Sequence, residues 1–338
     1  MAVKDGERYL RQAIESILAQ TFQDFEFIII DDFSSDNSIN IVQEYHDPRI
    51  MHVRNDTHSG LTASLNRGLD LARGKYIARM DADDVSLPGR FEAQVRYLDG
   101  YSDVAVLGTA IQFIDAEGSP LENVVFPTEH DVIKWSLCFY NPIAHPTVMM
   151  RAQVIQEAGG YNPTLERSQD YDLWWRIGSI GRLANLEDVY VQLRKHASQV
   201  TNIYRGRQFD TGLEINQKYL SELLGKPVTE EIIQKLWRKE ILSLTDAISV
   251  SELIFQVFHR FDVSIQSKVC KQIITLDALS MILPILIPYL SNDRVWILIG
   301  KAFRLRPIDF IKIVSGVFAK SLIRFMKSII HLKSLTIS

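Results

Sequence analysis

The sequence predicts an α/β fold, a Rossmann-like and mostly parallel sheet flanked by helices, followed by an all-helical region. Helix-like and strand-like segments alternate through the first part of the 338 residues. One strand-like segment, residues 25–30, is a continuous β-rich run, which is typical of a strand buried on both faces. Strand patterns end near residue 204, and long helical patterns follow. We therefore predict an α/β domain over residues 1–204 and a helical region over residues 205–338.

Each element of the α/β domain follows from the spacing of its apolar residues. Residues 7–20 repeat apolar side chains on one helical face, whereas residues 25–30 form a β-rich run. The same criteria predict further helices over 36–45, 60–72 and 170–178, and further strands over 50–53, 75–80, 104–108, 110–114, 147–151 and 184–191.

Composition excludes several classes of protein. Hydrophobic residues make up 46% of the chain and charged residues 23%, which is an ordinary globular balance. A net charge of -4 gives no support for nucleic-acid binding, and two cysteines predict no disulfide framework. The longest apolar stretch without charge has 15 residues, below the ~20 that a spanning helix needs. With no secretory signal at the N-terminus, we expect a cytoplasmic protein.

The acidic run after the predicted strand 75–80 is the first candidate site. Strand alternation places Asp81 and Asp83 on the same face. Carboxylates that converge in this way suit Mg²⁺ or Mn²⁺, usually shared with a substrate phosphate. The alternative is a solvated acidic turn, because Asp is common in turns.

Two further acidic segments are candidate sites. One lies at the carboxyl end of a strand, where ligands bind in open α/β sheets, and the other lies at the start of a helix. Asp31 and Asp32 follow the strand 25–30 and either bind a ligand or cap the next helix. Asp170 lies at the start of the helix 170–178 and is either a cap or a general base. Spacing alone does not decide between these alternatives.

These segments together resemble the inverting family 2 glycosyltransferases. The resemblance rests on Asp31-Asp32-Phe33-Ser34-Ser35-Asp36, on Met80-Asp81-Ala82-Asp83-Asp84 and on Gln169-Asp170-Tyr171-Asp172-Leu173-Trp174, with support from residues 20–26, 87–88 and 141–146. It covers about residues 1–200 and implies a GT-A fold and a nucleotide-sugar donor. A uridine diphosphate sugar is the favoured donor, and the implied acceptor is a glycan or lipid-linked hydroxyl.

The resemblance also implies roles for single residues on the donor side. Asp32 is expected to contact the base, and Asp83 is expected to be the principal ligand of Mn²⁺ or Mg²⁺. Asp81 is expected to lie near the ribose or the metal, with Asp84 in support.

On the acceptor side, the resemblance implies that Asp170 is the general base, preceded by Gln169 in support. His145 matches a frequent position near the acceptor, and its alternative is a hydrogen-bonded structural histidine. The implied reaction is one displacement that inverts the anomeric configuration, in cell-surface polysaccharide synthesis. A nucleotidyltransferase is less favoured, because the sequence shows no Gly-rich phosphate loop with a Lys.

The chain departs from the family pattern at its N-terminus, where residues 1–6 match only the end of the expected first strand. We therefore expect this strand to be missing and the domain to be N-terminally truncated. A missing central strand would favour a catalytically impaired nucleotide-sugar binder or scaffold as the alternative function.

Basic side chains dominate the C-terminus, with a net charge of +7 over residues 301–338. Residues 305–332 follow the pattern of a basic amphipathic helix, which either contacts a membrane peripherally or packs on the core. Membrane contact would place the protein at the inner face of the cell membrane.

Overall fold

The computed structural model describes residues 1–196 and 205–305. The chain forms two compact units, Met1–Asn216 and Gln217–Ser338. The predicted domain boundary near residue 204 falls in the segment 197–204, outside the described residues, as does nearly all of the predicted helix over 305–332.

Helices and strands alternate in the N-terminal unit. The strands are β1 (Ala2–Val3), β2 (Phe27–Asp31), β3 (Ile50–Arg54), β4 (Tyr76–Ala78), β5 (Val85–Ser86), β6 (Val104–Ile114), β7 (Pro120–Val124), β8 (Met149–Arg151) and β9 (Arg182–Arg194). The helices are α1 (Glu7–Leu18), α2 (Ser38–Gln43), α3 (Leu61–Leu71), α4 (Arg90–Gly100), α5 (His130–Leu137), α6 (Ala152–Glu157) and α7 (Gln169–Ile177), with a 3₁₀ turn at His145–Thr147. The unit therefore has the predicted α/β class.

The strands form two sheets, of which only the first is parallel throughout. The first has the order β1-β2-β3, and the second has the order β4-β8-β6-β9-β5 with β7 paired to β6. In the second sheet β6 and β9 are parallel, and the other pairs are antiparallel. The prediction of a mostly parallel sheet is thus wrong for this half, because β8 enters between β4 and β6 in the opposite direction. The N-terminal unit therefore has an α/β fold with a mixed second sheet.

The prediction of a missing first strand is also wrong. β1 is present and pairs in parallel with β2, with Ala2 opposite Ile30 and Val3 opposite Asp31. The amide of Ile30 donates to the carbonyl of Met1 over 2.9 Å, and the amide of Asp32 donates to the carbonyl of Val3 over 2.8 Å. β1 has only two residues, but the carbonyl of Met1, which precedes it, adds a further hydrogen bond to β2.

α1 shows how the core beside the first sheet forms. Its apolar residues Leu10, Ala13, Ile14 and Ile17 share one helical face and are all buried. They pack in one cluster with residues of β2, and burial of each large side chain contributes about 1.5–3 kcal/mol.

A cavity of about 980 Å³ also lies in this unit, and residues of β1, β2 and β4 line it. β1 is an edge strand of the first sheet and β4 is an edge strand of the second, so the cavity is lined by one edge of each sheet.

The C-terminal unit is helical in its described part. The chain enters it through α8 (Arg205–Leu224) and continues with α9 (Glu230–Arg238), α10 (Leu244–Ser264), α11 (Lys268–Leu286) and α12 (Asp293–Leu305). The hydroxyls of Ser243 and Ser267 cap α10 and α11 by accepting from backbone amides.

One stretch of the described residues, Lys268–Tyr289, is long and apolar enough to cross a membrane, with a mean hydropathy of 1.7. In the structure, 44% of the most apolar 18 residues of this stretch are buried. A core helix has the same length and composition, so this finding alone does not make the protein a membrane protein.

Candidate functional site

Three carboxylates converge in the turn between β4 and β5. One oxygen from each of Asp81, Asp83 and Asp84 lies within 4.8 Å of the others, and the described residues contain no other such metal-ligand group. The turn is fixed at both ends, because β4 pairs with β8 and β5 pairs with β9. The predicted strand end therefore brings the predicted carboxylates together.

Arg79 pairs with Asp81 inside this turn. Its Nη1 donates to Oδ2 of Asp81 over 2.6 Å, and its Nη2 donates to Oδ1. The Arg79 side chain is only 6% exposed. Burial lowers its pKa, but the carboxylate of Asp81 outweighs this, and the pKa of Arg79 is raised. Asp81 thus has a buried cationic partner of its own.

Asp83 and Asp84 carry the negative charge that a cation would offset. Burial and the charge of Asp81 raise the pKa of Asp83, against the opposing effect of His196. Burial and both neighbouring carboxylates raise the pKa of Asp84 well above its ordinary value. Nε2 of His196 lies 2.9 Å from Oδ2 of Asp83. The carboxylate oxygens of Asp81, Asp83 and Asp84 form a donor set that fits Mn²⁺ or Mg²⁺, and the imidazole of His196 lies beside it.

Asp32 lies at the end of β2 and organises the loop before α3. One of its oxygens accepts from Nδ2 of Asn55 over 2.7 Å and from the amide of Ser59 over 2.8 Å. The other accepts from the amide of Gly60 over 2.9 Å and lies 2.7 Å from Nδ1 of His58. Burial raises the pKa of Asp32, but these hydrogen bonds outweigh it, and the pKa is lowered.

The neighbouring residues show that this acidic pair does not cap α2. The N-cap of α2 is Asn37, whereas Oδ1 of Asp31 accepts from the amide of Ser34 over 3.2 Å. Phe33, between them, adopts a left-handed backbone conformation with φ of 62°. Such conformations cost about 1–3 kcal/mol and persist where the surroundings determine them. The hydrogen-bonded environment of Asp32 supplies that determination.

Asp170 occupies the first turn of α7. The N-cap of α7 is Ser168, which has a φ of 52°. Oδ2 of Asp170 accepts from Nδ2 of Asn141 over 2.7 Å. Burial raises the pKa of Asp170, while the amide of Tyr171, the charge of Arg79 and the bond from Asn141 oppose this rise. A carboxylate with a raised pKa is a stronger base than an ordinary one.

The other predicted residues of the acceptor side are buried. Nε2 of His145 lies 2.7 Å from the hydroxyl of Tyr161, and burial lowers the pKa of His145 well below its ordinary value. This contact is the one that the structural alternative for His145 describes, and its acceptor-side role stays a prediction. Gln169 is 5% exposed at the start of α7.

Electrostatics link the two halves of the site. The charge of Arg79 lowers the pKa of Asp170, and the same guanidinium pairs with Asp81. After burial, which has the largest effect, the charges of Asp170 and Asp81 both raise the pKa of the Tyr161 hydroxyl. The acidic cluster and Asp170 therefore act on the same buried groups. The contacts of Asp32 are instead with residues 55–60.

Sequence reasoning did not assign roles to Arg79, Asn141, Arg194 or His196. Asn141 and Arg79 stand within or beside segments that carry the resemblance. His196 is 113 residues from Asp83, so no local motif joins them. The usable signal is alternation, which places Arg194 and His196 on the same side at the end of β9.

Residues 1–142 match the sequence model of the protein family described as glycosyl transferase family 2. An uncharacterized glycosyltransferase of Haemophilus influenzae is 31% identical over 233 residues, which cover 66% of this chain and 72% of that protein. The O-antigen biosynthesis glycosyltransferase WbnJ of Escherichia coli is 38% identical over 181 residues, covering 52% of this chain and 69% of that protein.

The putative glycosyltransferase EpsE of Bacillus subtilis is 35% identical, covering 58% of this chain and 71% of that protein. Among solved structures, S. aureus TarS 1-349 in complex with UDP-GlcNAc superposes with a TM-score of 0.54 at 16% identity. This match covers 93% of the chain and 90% of the TarS fragment, and it shows a shared fold.

Proposed function

Because this chain belongs to glycosyl transferase family 2, we propose that it moves a sugar from a nucleotide-diphosphate donor to an acceptor hydroxyl with inversion at the anomeric carbon. The observation that carries this proposal is the convergence of Asp81, Asp83 and Asp84 within 4.8 Å at the turn after β4. In the same unit, Asp170 is a half-buried carboxylate whose pKa is raised by burial.

A uridine diphosphate sugar is the donor we propose. Structures of S. aureus TarS, which shares the fold, are described in complex with UDP and with UDP-GlcNAc. In this chain, Asp32 and its loop at the end of β2 would face the base, where ligands bind in α/β sheets. Its carboxylate is buried and already holds the loop, so it would act chiefly by fixing the shape of this pocket.

Asp81, Asp83 and Asp84 would hold the Mn²⁺ or Mg²⁺, with Asp81 also paired to Arg79. The Nε2 of His196 now contacts Asp83 and would reach the cation only by leaving that contact. When bound, such a cation stabilises the negative charge that develops on the departing diphosphate. The raised pKa values of Asp83 and Asp84 measure how unfavourable the uncompensated cluster is. Its donor set therefore fits the metal that the reaction requires.

Asp170 would take the proton of the acceptor hydroxyl as that oxygen attacks the anomeric carbon. Asn141 orients the carboxylate through its 2.7 Å hydrogen bond. General-base assistance of this kind contributes about 10²–10⁴-fold to a rate. A single displacement without a covalent intermediate gives inversion.

The acceptor we propose is a glycan or lipid-linked hydroxyl in cell-surface polysaccharide synthesis. Relatives bear names from O-antigen and amylovoran biosynthesis. A position at the inner face of the membrane, reached through basic residues 301–338, would bring the enzyme to such acceptors. Flotation of the full chain with anionic but not zwitterionic vesicles, lost at high salt, would support this location.

The direct test is release of UDP from UDP-GlcNAc and other UDP-sugars, with Mn²⁺, with Mg²⁺ and with EDTA. Metal-dependent turnover by the wild type supports the proposal. Donor binding without turnover under every condition would instead identify a nucleotide-sugar binder. The binder alternative depended on a missing first strand, and β1 is present.

A further inference from the structure

The end of β9 reaches the acidic turn through one buried side chain. Arg194 is 2% exposed. Its Nε donates to the carbonyl of Asp83 over 2.9 Å, and its Nη2 donates to Oε1 of Gln12 over 2.6 Å. Its Nη1 donates to the carbonyls of Asp115 and Ala116 over 3.2 and 3.3 Å. One guanidinium therefore joins the acidic turn to α1 and to the loop after β6.

The main chain and the ring neighbour of Arg194 add two more contacts. Its amide donates to Oδ1 of Asp84 over 3.0 Å. Its guanidinium lies 4.5 Å from the ring centroid of Tyr9, and the same ring lies 4.9 Å from the ring of His196. Tyr9 therefore contacts both Arg194, the last residue of β9, and His196, two residues beyond it.

The chemistry of these contacts separates the role of Arg194 from that of a charge partner. Among the described residues, the guanidinium has four hydrogen-bond acceptors that are neutral oxygens, and three of them are main-chain carbonyls. These bonds therefore fix the path of the main chain. A guanidinium is planar and presents five donors in a rigid fork. Fixing the carbonyl of Asp83 fixes the direction of its side chain, on which a cation would depend.

We propose that Arg194 is the positioning residue of the cation site, because it holds the backbone of Asp83 and the carboxylate of Asp84 in the arrangement that binds the metal. The inference rests on the metal-dependent function proposed above. Groups that orient metal ligands typically change metal affinity by about 10–100-fold when they are altered. Lysine at this position keeps the charge but not the fork.

Arg151 provides a matched control in the same unit. Its guanidinium also holds main-chain carbonyls, those of Leu98, Tyr101 and Val104, over 2.5, 2.9 and 2.7 Å. These partners belong to α4 and the start of β6 rather than to the acidic turn. Loss of this fork costs the same kind of hydrogen bonds without touching the metal ligands.

The experiment compares Mn²⁺ binding by the wild type, Arg194→Lys and Arg151→Lys, followed by the EPR signal of free Mn²⁺ in the absence of nucleotide. We expect Arg194→Lys to weaken Mn²⁺ binding about 10–100-fold and Arg151→Lys to leave it at the wild-type value, even where both lose similar thermal stability. Equal affinities of Arg194→Lys and the wild type would overturn the inference. So would an equal loss in Arg151→Lys, which would reveal a general effect of stability.

A second variant covers the case in which Arg194→Lys does not fold. Gln12→Leu keeps the guanidinium and removes one of its acceptors, and we expect Mn²⁺ binding to weaken in the same direction. Unchanged binding in Gln12→Leu would then overturn the inference. Failure of the wild type to bind Mn²⁺ would overturn the metal in the proposed function itself, which distinguishes the two failures.

Discussion

Nε2 of His196, two residues after the end of β9, lies 2.9 Å from Oδ2 of Asp83 in the acidic turn. In the proposed metal complex, the imidazole would add a nitrogen ligand to the carboxylate oxygens of Asp81, Asp83 and Asp84. Imidazole suits Mn²⁺ better than Mg²⁺, which prefers oxygen ligands and keeps its waters. The side chain of His196 should therefore set which of the two cations the site prefers.

Replacement of this imidazole should change the metal preference. We expect His196→Asn to lower turnover with Mn²⁺ more than turnover with Mg²⁺, because the variant replaces a nitrogen ligand by an amide oxygen. The measurement is the ratio of initial rates at saturating concentrations of each metal. His46→Asn, at an exposed ring that contacts the carbonyl of Glu44, is the control. An unchanged ratio in His196→Asn would show that the imidazole does not bind the metal.

Loss of the charge of Asp83 should abolish both metal binding and transfer. Asp83→Asn removes a negative ligand from a cluster of three carboxylates, and metal affinity rises with the charge of the ligands. Mn²⁺ titration and UDP release measure the two effects. Asp99→Asn, at an exposed carboxylate paired with Lys75, should behave as the wild type. Wild-type Mn²⁺ affinity in Asp83→Asn would remove this residue from the site.

Asp170→Asn should separate chemistry from metal binding. We expect kcat to fall about 10²–10⁴-fold while Mn²⁺ affinity stays unchanged. Asp131→Asn is a matched control, because Asp131 also occupies the first turn of a helix, α5. Retention of full turnover in Asp170→Asn would exclude its role as the base.

The bond from Asn141 predicts a shift in the pH profile. A general base works when it is deprotonated, so kcat falls as the pH falls through the pKa of Asp170. Burial raises this pKa, and the bond from Asn141 lowers it. Asn141→Ala should therefore raise the pKa further and move the acidic limb of kcat to higher pH. Asn123→Ala, which alters an exposed contact with Gln112, should leave the limb in place, and an unmoved limb in Asn141→Ala would contradict the assignment.

Asp32 should contribute to stability in a defined pH range. Its folded pKa lies below the ordinary 3.8, so the stabilisation is present above that value and is lost as the pH falls through the folded pKa. Asp32→Asn should cost about 1–3 kcal/mol near pH 7. One carboxylate oxygen becomes an NH₂ group, so either the amide of Ser59 or that of Gly60 loses its acceptor. Urea unfolding at several pH values measures this cost. Asp56→Asn, at an exposed carboxylate nearby, should change nothing, and a cost for Asp32→Asn that is independent of pH would contradict the ionic origin.

Local patterns predicted those parts of the fold that local forces determine. The helix expected over residues 7–20 is α1 (Glu7–Leu18), and the strand expected over residues 25–30 is β2 (Phe27–Asp31). The carboxylates of Asp81, Asp83 and Asp84 lie together because they follow one strand and share one turn. In each case the decisive residues are neighbours along the chain.

The remainder depends on pairings between distant segments. β8 pairs antiparallel with both β4 and β6, and no periodicity within residues 149–151 indicates a direction. β1 has two residues, too few for any pattern, so its presence could not be read from spacing. The roles of Arg194 and His196 arise only because β9 adds beside β6 in parallel.

The separation of 113 residues between Asp83 and His196 also orders events during folding. Contacts between distant segments form after local ones, because the loop between them must first be closed. A chain that is still being synthesised can pair β4 with β8 before residues 194–196 exist, but β5, at the other end of the acidic turn, must wait for β9. The proposed affinity for the cation should therefore be acquired late, once β9 has joined the sheet beside the acidic turn.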